Sequence, residues 1–245
     1  MTTRSSSTTA GSTRRPARGR GGAVRREACE HRLRRVAVRG AVAQRRQDLG
    51  APRACGAETA KTLTVFQRTA NYSVPARNHP LSPERKQELT ERFEEIRDLV
   101  RSTPNAHPFR ISADKAADQD AETLAERYEK AWEIGGLRFR AVFGDLLVDK
   151  GANDTAATFL KGKIREIVKD PATAAILSNI DHPYAAKRPP IDTNYFDTFN
   201  KPHVSVVDVR ADPIRRIVPE GIELESGKVH ELDVIVFATG FDAWT

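Results

Sequence analysis

A continuous apolar run near the end of the chain constrains the fold more than any other feature. Residues 232–238 read Leu-Asp-Val-Ile-Val-Phe-Ala, and Gly240 bounds the run. A strand with apolar residues at consecutive positions is typical of a parallel sheet that is covered on both faces by helices. The run therefore predicts a central parallel strand in an α/β domain.

Other apolar runs predict further strands. Leu63-Thr-Val-Phe66 is short, apolar and β-branched, and Val204–Val209 has the same character. Ile214–Val218 and Gly221–Leu224 predict two more strands, and Ser226-Gly-Lys228 predicts a hairpin turn. The order is strand, long helical stretch, strand, hairpin and strand, which predicts an α/β nucleotide-binding domain with an insertion.

The predicted insertion covers residues 82–180 and is mainly helical. Ser82 followed by Pro83 is typical of a helix start. The apolar positions Leu89, Phe93, Ile96, Leu99 and Val100 share one face of that helix.

Further helices are predicted later in the insertion. One runs from Ala121 to Trp132 and ends at Gly135-Gly136. The apolar stretch 137–148 is also predicted to be helical. Asn153 or Asp154 is expected to cap the next helix, and Pro171 to begin a shorter one.

The first 56 residues have a different composition from the rest. Residues 1–60 hold 14 Arg, no Lys, no aromatic residue and four acids. Such a stretch cannot bury enough apolar surface to offset the entropy of ordering, so we expect residues 1–56 to be disordered or non-native. Three hypotheses remain: a basic arm for nucleic acid, a transit peptide, or sequence read in an altered frame of a GC-rich gene.

Several classes of protein are disfavoured by what the sequence lacks. No apolar run approaches the length of a membrane span. Two cysteines cannot form a disulfide framework, and the six histidines show no metal-ligand spacing. Because the first 25 residues also lack the apolar stretch of a secretory signal, we expect a cytoplasmic protein with no metal and no membrane partner.

The residues that follow the first predicted strand of the body are candidates for a phosphate site. An arginine at the end of the second strand of a dinucleotide-binding domain suits the 2′-phosphate of NADP, since a guanidinium forms charge-assisted bidentate hydrogen bonds. Arg68 lies at such a strand end, and Thr69 adds a hydroxyl donor. The alternative is an ordinary surface arginine.

Two later motifs could also carry chemistry. Lys187-Arg188 lies in a loop stiffened by prolines, where fixed cations can hold a phosphate or stabilise an oxyanion. Phe237-Ala-Thr-Gly-Phe-Asp242 is a strand end with small residues, which lets a backbone approach a ligand closely. The alternatives are a solvated basic pair and an ordinary exit from a strand.

Together these motifs resemble the Baeyer–Villiger monooxygenases of the cyclohexanone and cycloalkanone monooxygenase type. The resemblance rests on Thr64-Val-Phe-Gln-Arg-Thr69, Asn71-Tyr-Ser-Val-Pro-Ala-Arg-Asn78, Lys187-Arg188 and Phe237-Ala-Thr-Gly-Phe-Asp-Ala243, in the family's order. It implies a partial Rossmann-type NADP-binding domain: residues 57–81 as strand and loop, 82–180 as helical insertion, and 181–245 as strands and a linker toward an FAD domain. The implied cofactors are NADPH and FAD, and the implied substrates are a ketone and O2, which the enzyme converts to an ester or lactone.

The resemblance also assigns roles to residues. Arg68 and Thr69 would hold the 2′-phosphate of NADP, and Lys187 would help to bind it. Arg188 would be the catalytic arginine, which stabilises the negatively charged flavin peroxide and the adduct on the ketone; a guanidinium suits this task because it stays charged. Thr239 and Gly240 would lie near the cofactors.

The chain departs from the family pattern in ways that predict a fragment, inactive alone. A glycine-rich FAD fingerprint is absent, and Ala41-Val-Ala-Gln-Arg-Arg46 stands where a second G-x-G-x-x-G is expected after Arg35-Val-Ala-Val38. Glutamine and arginine side chains would block the close approach of a pyrophosphate. The resemblance begins abruptly at Glu58, where the composition changes, and this favours the altered reading frame. The alternative functions are a related flavin monooxygenase that oxidises nitrogen or sulfur, and a basic-arm protein that binds nucleic acid.

Overall fold

The computed structural model describes residues 35–39, 57–58 and 60–237, and for residues 35–39 it describes the backbone alone. Thr239 and Gly240, and with them most of the predicted Phe237–Ala243 motif, lie outside the described residues. So do residues 41–46, which stand in place of the expected glycine-rich turn.

A four-stranded parallel sheet forms the centre of the fold. Its strands are β1 (Arg35–Arg39), β2 (Thr62–Gln67), β5 (Val204–Asp208) and β9 (Val234–Phe237), in the spatial order β5-β2-β1-β9. The side chains of Leu63, Val65 and Phe66 in β2 are each 1% exposed. The prediction of an α/β domain built on a parallel sheet is therefore confirmed.

Two details of this sheet correct the predictions. β1 falls inside the segment expected to be disordered or non-native, yet its backbone pairs with β2 on one side and β9 on the other. β9 is parallel as predicted, but among the described strands it lies at the edge of the sheet, because β1 separates it from β2. Val236 and Phe237 are accordingly 41% and 56% exposed, and not buried as the apolar run had predicted.

A small antiparallel sheet connects β5 to β9. It consists of β6 (Ile214–Val218), β7 (Gly221–Leu224) and β8 (Val229–Glu231), with β7 in the middle. Ile222 and Leu224 pack with Phe66 of β2 in a second apolar cluster. The predicted strands and hairpin turn are thus confirmed, and the small sheet is held against the parallel one.

The insertion contains five helices. They are α1 (Pro83–Glu91), α2 (Phe93–Ser102), α3 (Ala121–Ile134), α4 (Lys150–Ile167) and α5 (Pro171–Ser178). Side-chain oxygens of Ser82, Asp120, Asp149 and Asp170 accept hydrogen bonds from backbone amides in the first turns of α1, α3, α4 and α5. No described helix is long and apolar enough to cross a bilayer.

Three predictions for the insertion are wrong in detail. The first predicted helix is divided at Arg92, and none of its residues is buried. Residues 137–148 form a 3₁₀ turn (Gly136–Ala141) and then loop, because Gly135 and Gly136 both have positive φ and redirect the chain. The cap of α4 is Asp149, and neither Asn153 nor Asp154, so this helix begins earlier than predicted.

Asn153 has a different role, since its side chain is buried within α4. Its Nδ2 donates hydrogen bonds to the carbonyl oxygens of Leu146 and Tyr184, at 2.8 and 3.0 Å. Its Oδ1 accepts a hydrogen bond from the amide of Tyr184 at 2.8 Å. The helix therefore fixes the backbone of Tyr184, three positions before Lys187.

The aromatic core continues from the insertion toward the sheet. Tyr128 packs against Phe139, Phe139 against Tyr184, and Tyr184 against Tyr72, with ring centroids 5.4 to 5.7 Å apart. All four side chains are 1–3% exposed. Because Tyr72 follows β2 and Tyr184 precedes Lys187, this row of rings sets the distance between the two parts of the chain that carry candidate site residues.

Candidate functional site

Arg68 and Thr69 lie where the sequence predicts them, directly after the carboxyl end of β2. Arg68 is exposed and Thr69 is half-buried. The hydroxyl oxygen of Thr69 accepts a hydrogen bond of 3.1 Å from Nη2 of Arg210. Because the guanidinium occupies this oxygen as a donor, the hydroxyl proton of Thr69 is left to donate to another acceptor.

Arg210 is a residue that the sequence analysis missed. It follows β5, the neighbour of β2, and its amide donates to Oδ1 of Asp208 at 2.9 Å. Its Nη1 forms an ion pair of 2.8 Å with Oδ2 of Asp181. Carboxyl ends of adjacent parallel strands meet at one edge of a sheet, so a basic residue two positions after β5 is the signal that could have found it.

Asp181 joins this group to Lys187. Its pKa lies below the ordinary value, first because Arg210 donates a hydrogen bond to it, and also because of the positive charges of Arg210 and Lys187. Thr69, Arg210, Asp181 and Lys187 therefore form one electrostatic group, which we call the edge cluster.

The loop that carries Lys187-Arg188 is held by the residues that follow β2. Val74-Pro75 (β3) pairs in parallel with Ile191-Asp192 (β4), and the amide of Val74 donates to the carbonyl of Pro190 at 3.1 Å. Nδ2 of Asn71 donates to the carbonyl of Arg188 at 3.2 Å. The two motifs of the sequence are thus connected by backbone pairing.

A buried carboxyl group reinforces this connection. Asp192 is 8% exposed, its Oδ1 accepts a hydrogen bond of 2.9 Å from the amide of Tyr195, and its Oδ2 contacts the hydroxyl of Ser73. Burial raises the pKa of Asp192, while Ser73 and the Tyr195 amide act in the opposite direction. Tertiary pairing alone reveals the role of this residue.

Arg188 follows Lys187 in the same loop and is exposed. It lines a cleft of ≈ 370 Å³ together with residues of β3 and of the insertion, and neither Arg68 nor Lys187 lines that cleft. The structure therefore brings Thr69 and Lys187 together through Asp181 and Arg210, and Arg188 lines a cleft that none of these four residues lines. Among the described residues, no group of three or more His, Cys, Asp or Glu side chains could hold a metal ion.

The parallel sheet and the edge cluster are typical of a dinucleotide-binding α/β domain, here with a helical insertion. No protein-family model matches the chain. Individual relatives do match it. The chain is 42% identical over 190 residues to a 2-oxo-Δ³-4,5,5-trimethylcyclopentenylacetyl-CoA monooxygenase of Pseudomonas putida. That match covers 77% of this chain and 35% of that protein. It is 44% identical over 190 residues to a Baeyer–Villiger monooxygenase of Pseudooceanicola batsensis, covering 76% and 34%. The chain is thus homologous to a segment of the Baeyer–Villiger monooxygenases, and the resemblance stated from the sequence is confirmed.

Two solved structures are also similar to this chain. The OTEMO complex with FAD and NADP superposes with a TM-score of 0.81 at 39% identity, over 86% of this chain and 38% of that one. The open structure of cyclohexanone monooxygenase gives 0.80 at 38% identity, over 86% and 40%. A further relative, the phenazine N-monooxygenase PhzNO1 of Lysobacter antibioticus, is 41% identical over 185 residues, covering 75% and 34%. The chain spans about a third of the length of the curated relatives it matches.

Proposed function

We propose that the described residues form the NADPH-binding part of a flavin-dependent monooxygenase that uses NADPH and O2 to insert oxygen next to a ketone, giving an ester or lactone. The observation that carries this proposal is the edge cluster, in which the residues after β2, the residue after β5 and the Lys187 loop meet. A phosphate on a nucleotide bound at this edge of the sheet would face the hydroxyl of Thr69 and the cations Arg68, Lys187 and Arg210.

The donors present suit the 2′-phosphate of NADP. A phosphate dianion favours guanidinium groups, which offer several N–H donors in one plane, and ammonium groups, which act as point charges. Arg68 is exposed at the strand end and has no ion-pair partner within the described residues, so its guanidinium is available to a ligand. An NADH ribose, which carries a hydroxyl in place of the phosphate, would leave these cations without a counter-charge.

Arg188 would act on the substrate side. It lines a cleft, and a guanidinium offers several N–H donors, so it can stabilise negative charge that develops on the oxygen of a ketone. FAD, when bound, supplies the chemistry of O2 activation. The residues described here would bind the nucleotide and orient the arginine, and since NADPH is an intracellular reductant we place the reaction in the cytoplasm.

The chain by itself is proposed to be inactive. It corresponds to about a third of the length of its relatives, and residues 41–46 carry no glycines for the approach of a pyrophosphate. Binding of the nucleotide fragment that carries the 2′-phosphate is therefore a better first test than turnover.

The test compares 2′,5′-ADP with 5′-ADP by calorimetric titration of the purified chain. We expect the 2′-phosphate to improve binding by roughly tenfold or more, since charge-assisted hydrogen bonds contribute about 1.5–3 kcal/mol. Arg68→Ala and Lys187→Ala should each reduce that preference. The control is Arg101→Ala, because Arg101 is exposed on α2 and pairs only loosely with Asp98, at 3.8 Å. Equal affinity for the two nucleotides would exclude the proposed site.

One observation favours a second candidate function. The 41% identity to a protein named phenazine N-monooxygenase is close to the identities of the ketone-related relatives. Lys187-Arg188, which the resemblance ties to ketone oxidation, is therefore the feature to test. An enzyme assembled with this segment that oxidises an aromatic nitrogen, and leaves cyclohexanone unchanged, would establish the second candidate.

A further inference from the structure

The cleft that Arg188 lines has walls from three parts of the chain. β3 contributes Val74, and the loop after Tyr184 contributes Arg188 and Pro189. The insertion contributes the remaining wall, which includes His107 and Arg140. A volume of ≈ 370 Å³ is at the small end of the range for ligand pockets.

The cleft is strongly positive. Arg140 and Arg188 both line it, and no Asp or Glu is among the lining residues. Neither guanidinium forms an ion pair with a carboxylate anywhere in the part of the chain that the structure describes. Two arginines around one small cleft without a counter-ion repel each other, so an anion bound between them is favoured.

The charge of Arg140 acts on Tyr184, which also lines the cleft. Burial raises the pKa of the Tyr184 phenol, and the charge of Arg140 acts against that rise. Tyr184 is 3% exposed and lines the same cleft. The Arg140 charge is therefore close enough to act on a buried phenol in the wall of the cleft.

His107 supplies a further polar atom. Its Nε2 is buried and has no hydrogen-bond partner in the described structure. Its position is fixed, since the ring stacks on Phe109 at 5.0 Å and its amide donates to the hydroxyl of Thr103 at 2.9 Å. A buried polar atom without a partner is costly, and an acidic group in the cleft would give it one.

We propose that this cleft binds a carboxylate, so that the ketone oxidised at this site carries a carboxylate group. The proposal rests on the function proposed above, because it takes Arg188 as the arginine that faces the ketone. Arg140 and His107 would then bind the carboxylate, and Arg188 would face the ketone oxygen. The cleft volume suits a molecule of roughly ten heavy atoms.

The experiment measures binding of 3-oxocyclohexane-1-carboxylate and of cyclohexanone to the purified full chain by calorimetry. We expect the carboxylate to bind at least about tenfold more tightly, as for a charge-assisted pair. Arg140→Met should bring the two affinities within about twofold, and Arg140→Lys should keep part of the preference because it keeps the charge. The control is Arg101→Met, because Arg101 is exposed on α2 and does not line this cleft.

Folding is checked by circular dichroism for each variant, and the salt dependence of the wild-type preference gives a second measurement that needs no variant. A preference carried by charge should decrease between 50 and 500 mM salt. Equal binding of both ketones, binding of neither, or a preference that survives in Arg140→Met would overturn the proposal. The nucleotide titration above is independent, so a chain that prefers 2′,5′-ADP but shows no carboxylate preference would refute this inference and leave the proposed function intact.

Discussion

Asn71 donates a hydrogen bond from its side-chain Nδ2 to the backbone carbonyl of Arg188, 3.2 Å away and 117 positions later in the chain. The Asn71 residue is 8% exposed whereas Arg188 is exposed, so this bond is partly buried. It fixes the backbone of the proposed catalytic arginine relative to the strand that precedes Arg68. The nucleotide side and the substrate side of the site are thus connected by one buried amide group.

Asn71→Ala is expected to loosen this connection. Removing the donor leaves the carbonyl of Arg188 unsatisfied, which should lower the free energy of unfolding by about 1–3 kcal/mol. Urea denaturation measures the loss, and faster hydrogen exchange at the amides of Val74 and Ala76, which pair with the same loop, would localise it. Asn179→Ala is the control, since Asn179 is exposed; an equal effect of both substitutions would contradict the assignment.

Alanine substitutions at Gly135 and Gly136 can be compared to test the contact between the insertion and β3. Both have positive φ, but a Cβ at Gly135 would collide with the carbonyl oxygen of Pro75 and lie 2.6 Å from Cγ of Arg77, whereas one at Gly136 meets nothing within 4 Å. Gly136→Ala should therefore cost about 1–2 kcal/mol from backbone strain alone. Gly135→Ala should cost at least about 1–3 kcal/mol more, because β3 must move. Comparable thermal stabilities of the two variants would show that the close approach is unimportant.

Asp181 is expected to compete with a bound phosphate for Arg210 and Lys187. Asp181→Asn removes one negative charge from the edge cluster, so the affinity for 2′,5′-ADP should rise by roughly two- to fivefold at low salt, the range expected for an exposed pair. Because the pKa of Asp181 is lowered, its carboxylate is ionised from mildly acidic pH upward, and the gain should be constant from pH 7 to 8, above the second pKa of the phosphate near 6. Asp118→Asn, at an exposed aspartate of the insertion, is the control. Weaker binding by Asp181→Asn would mean that Asp181 chiefly orients Arg210.

Asp192 predicts a pH dependence of stability. Burial raises its pKa in the folded state, so the folded chain binds more protons than the unfolded chain between the ordinary pKa near 4 and the raised value. Stability from this group is therefore present below the ordinary pKa and is lost as the pH rises through the raised pKa. Relative to Asp192→Asn, the wild type should lose stability as the pH rises above about 4, as measured by urea denaturation at a series of pH values. Curves that stay parallel would show that the pKa of Asp192 is the same in the folded and unfolded states.

Much of the fold could be predicted from local patterns, and the exceptions have physical causes. Leu63-Thr-Val-Phe66 and Val204–Val209 are apolar runs that contain β-branched residues, and they form neighbouring strands. Both strands could be predicted because the hydrophobic pattern and composition of a run indicate its burial. Residues 137–148 are equally apolar, but their burial comes from packing around Tyr128 and not from a helix. The edge position of β9 depends on its neighbours, which a single run of residues does not encode.

The residues of the candidate site also divide into those that local sequence predicts and those that only tertiary contacts reveal. Arg68, Thr69 and Lys187 are recognisable because each stands beside a strand end or in a loop rich in proline. Arg210 and Arg140 have no distinguishing pattern around them in the sequence. Arg210 is recognised only through its ion pair with Asp181, and Arg140 only because it lines a cleft that has no acidic residue. Contacts across more than a hundred positions, such as Asn71 with Arg188, follow from tertiary pairing and have no local signature.

The position of β1 sharpens the hypothesis of an altered reading frame. The backbone of Arg35–Arg39 pairs in parallel with both β2 and β9. In a dinucleotide-binding domain a glycine-rich turn follows the first strand. The glycine-rich turn is therefore to be sought in residues 40–56, the segment that follows β1.

Translating the codons of residues 40–56 in the other two frames is therefore expected to give a G-x-G-x-x-G directly after β1. The measurement is the sequence of the locus, read from independent DNA, with the codons of residues 60–80 as a control that should give no such motif when shifted. If neither frame contains the glycines, the arginines of this segment are genuine. The basic-arm hypothesis then predicts binding to DNA that weakens steeply with salt, because each phosphate contact releases counter-ions.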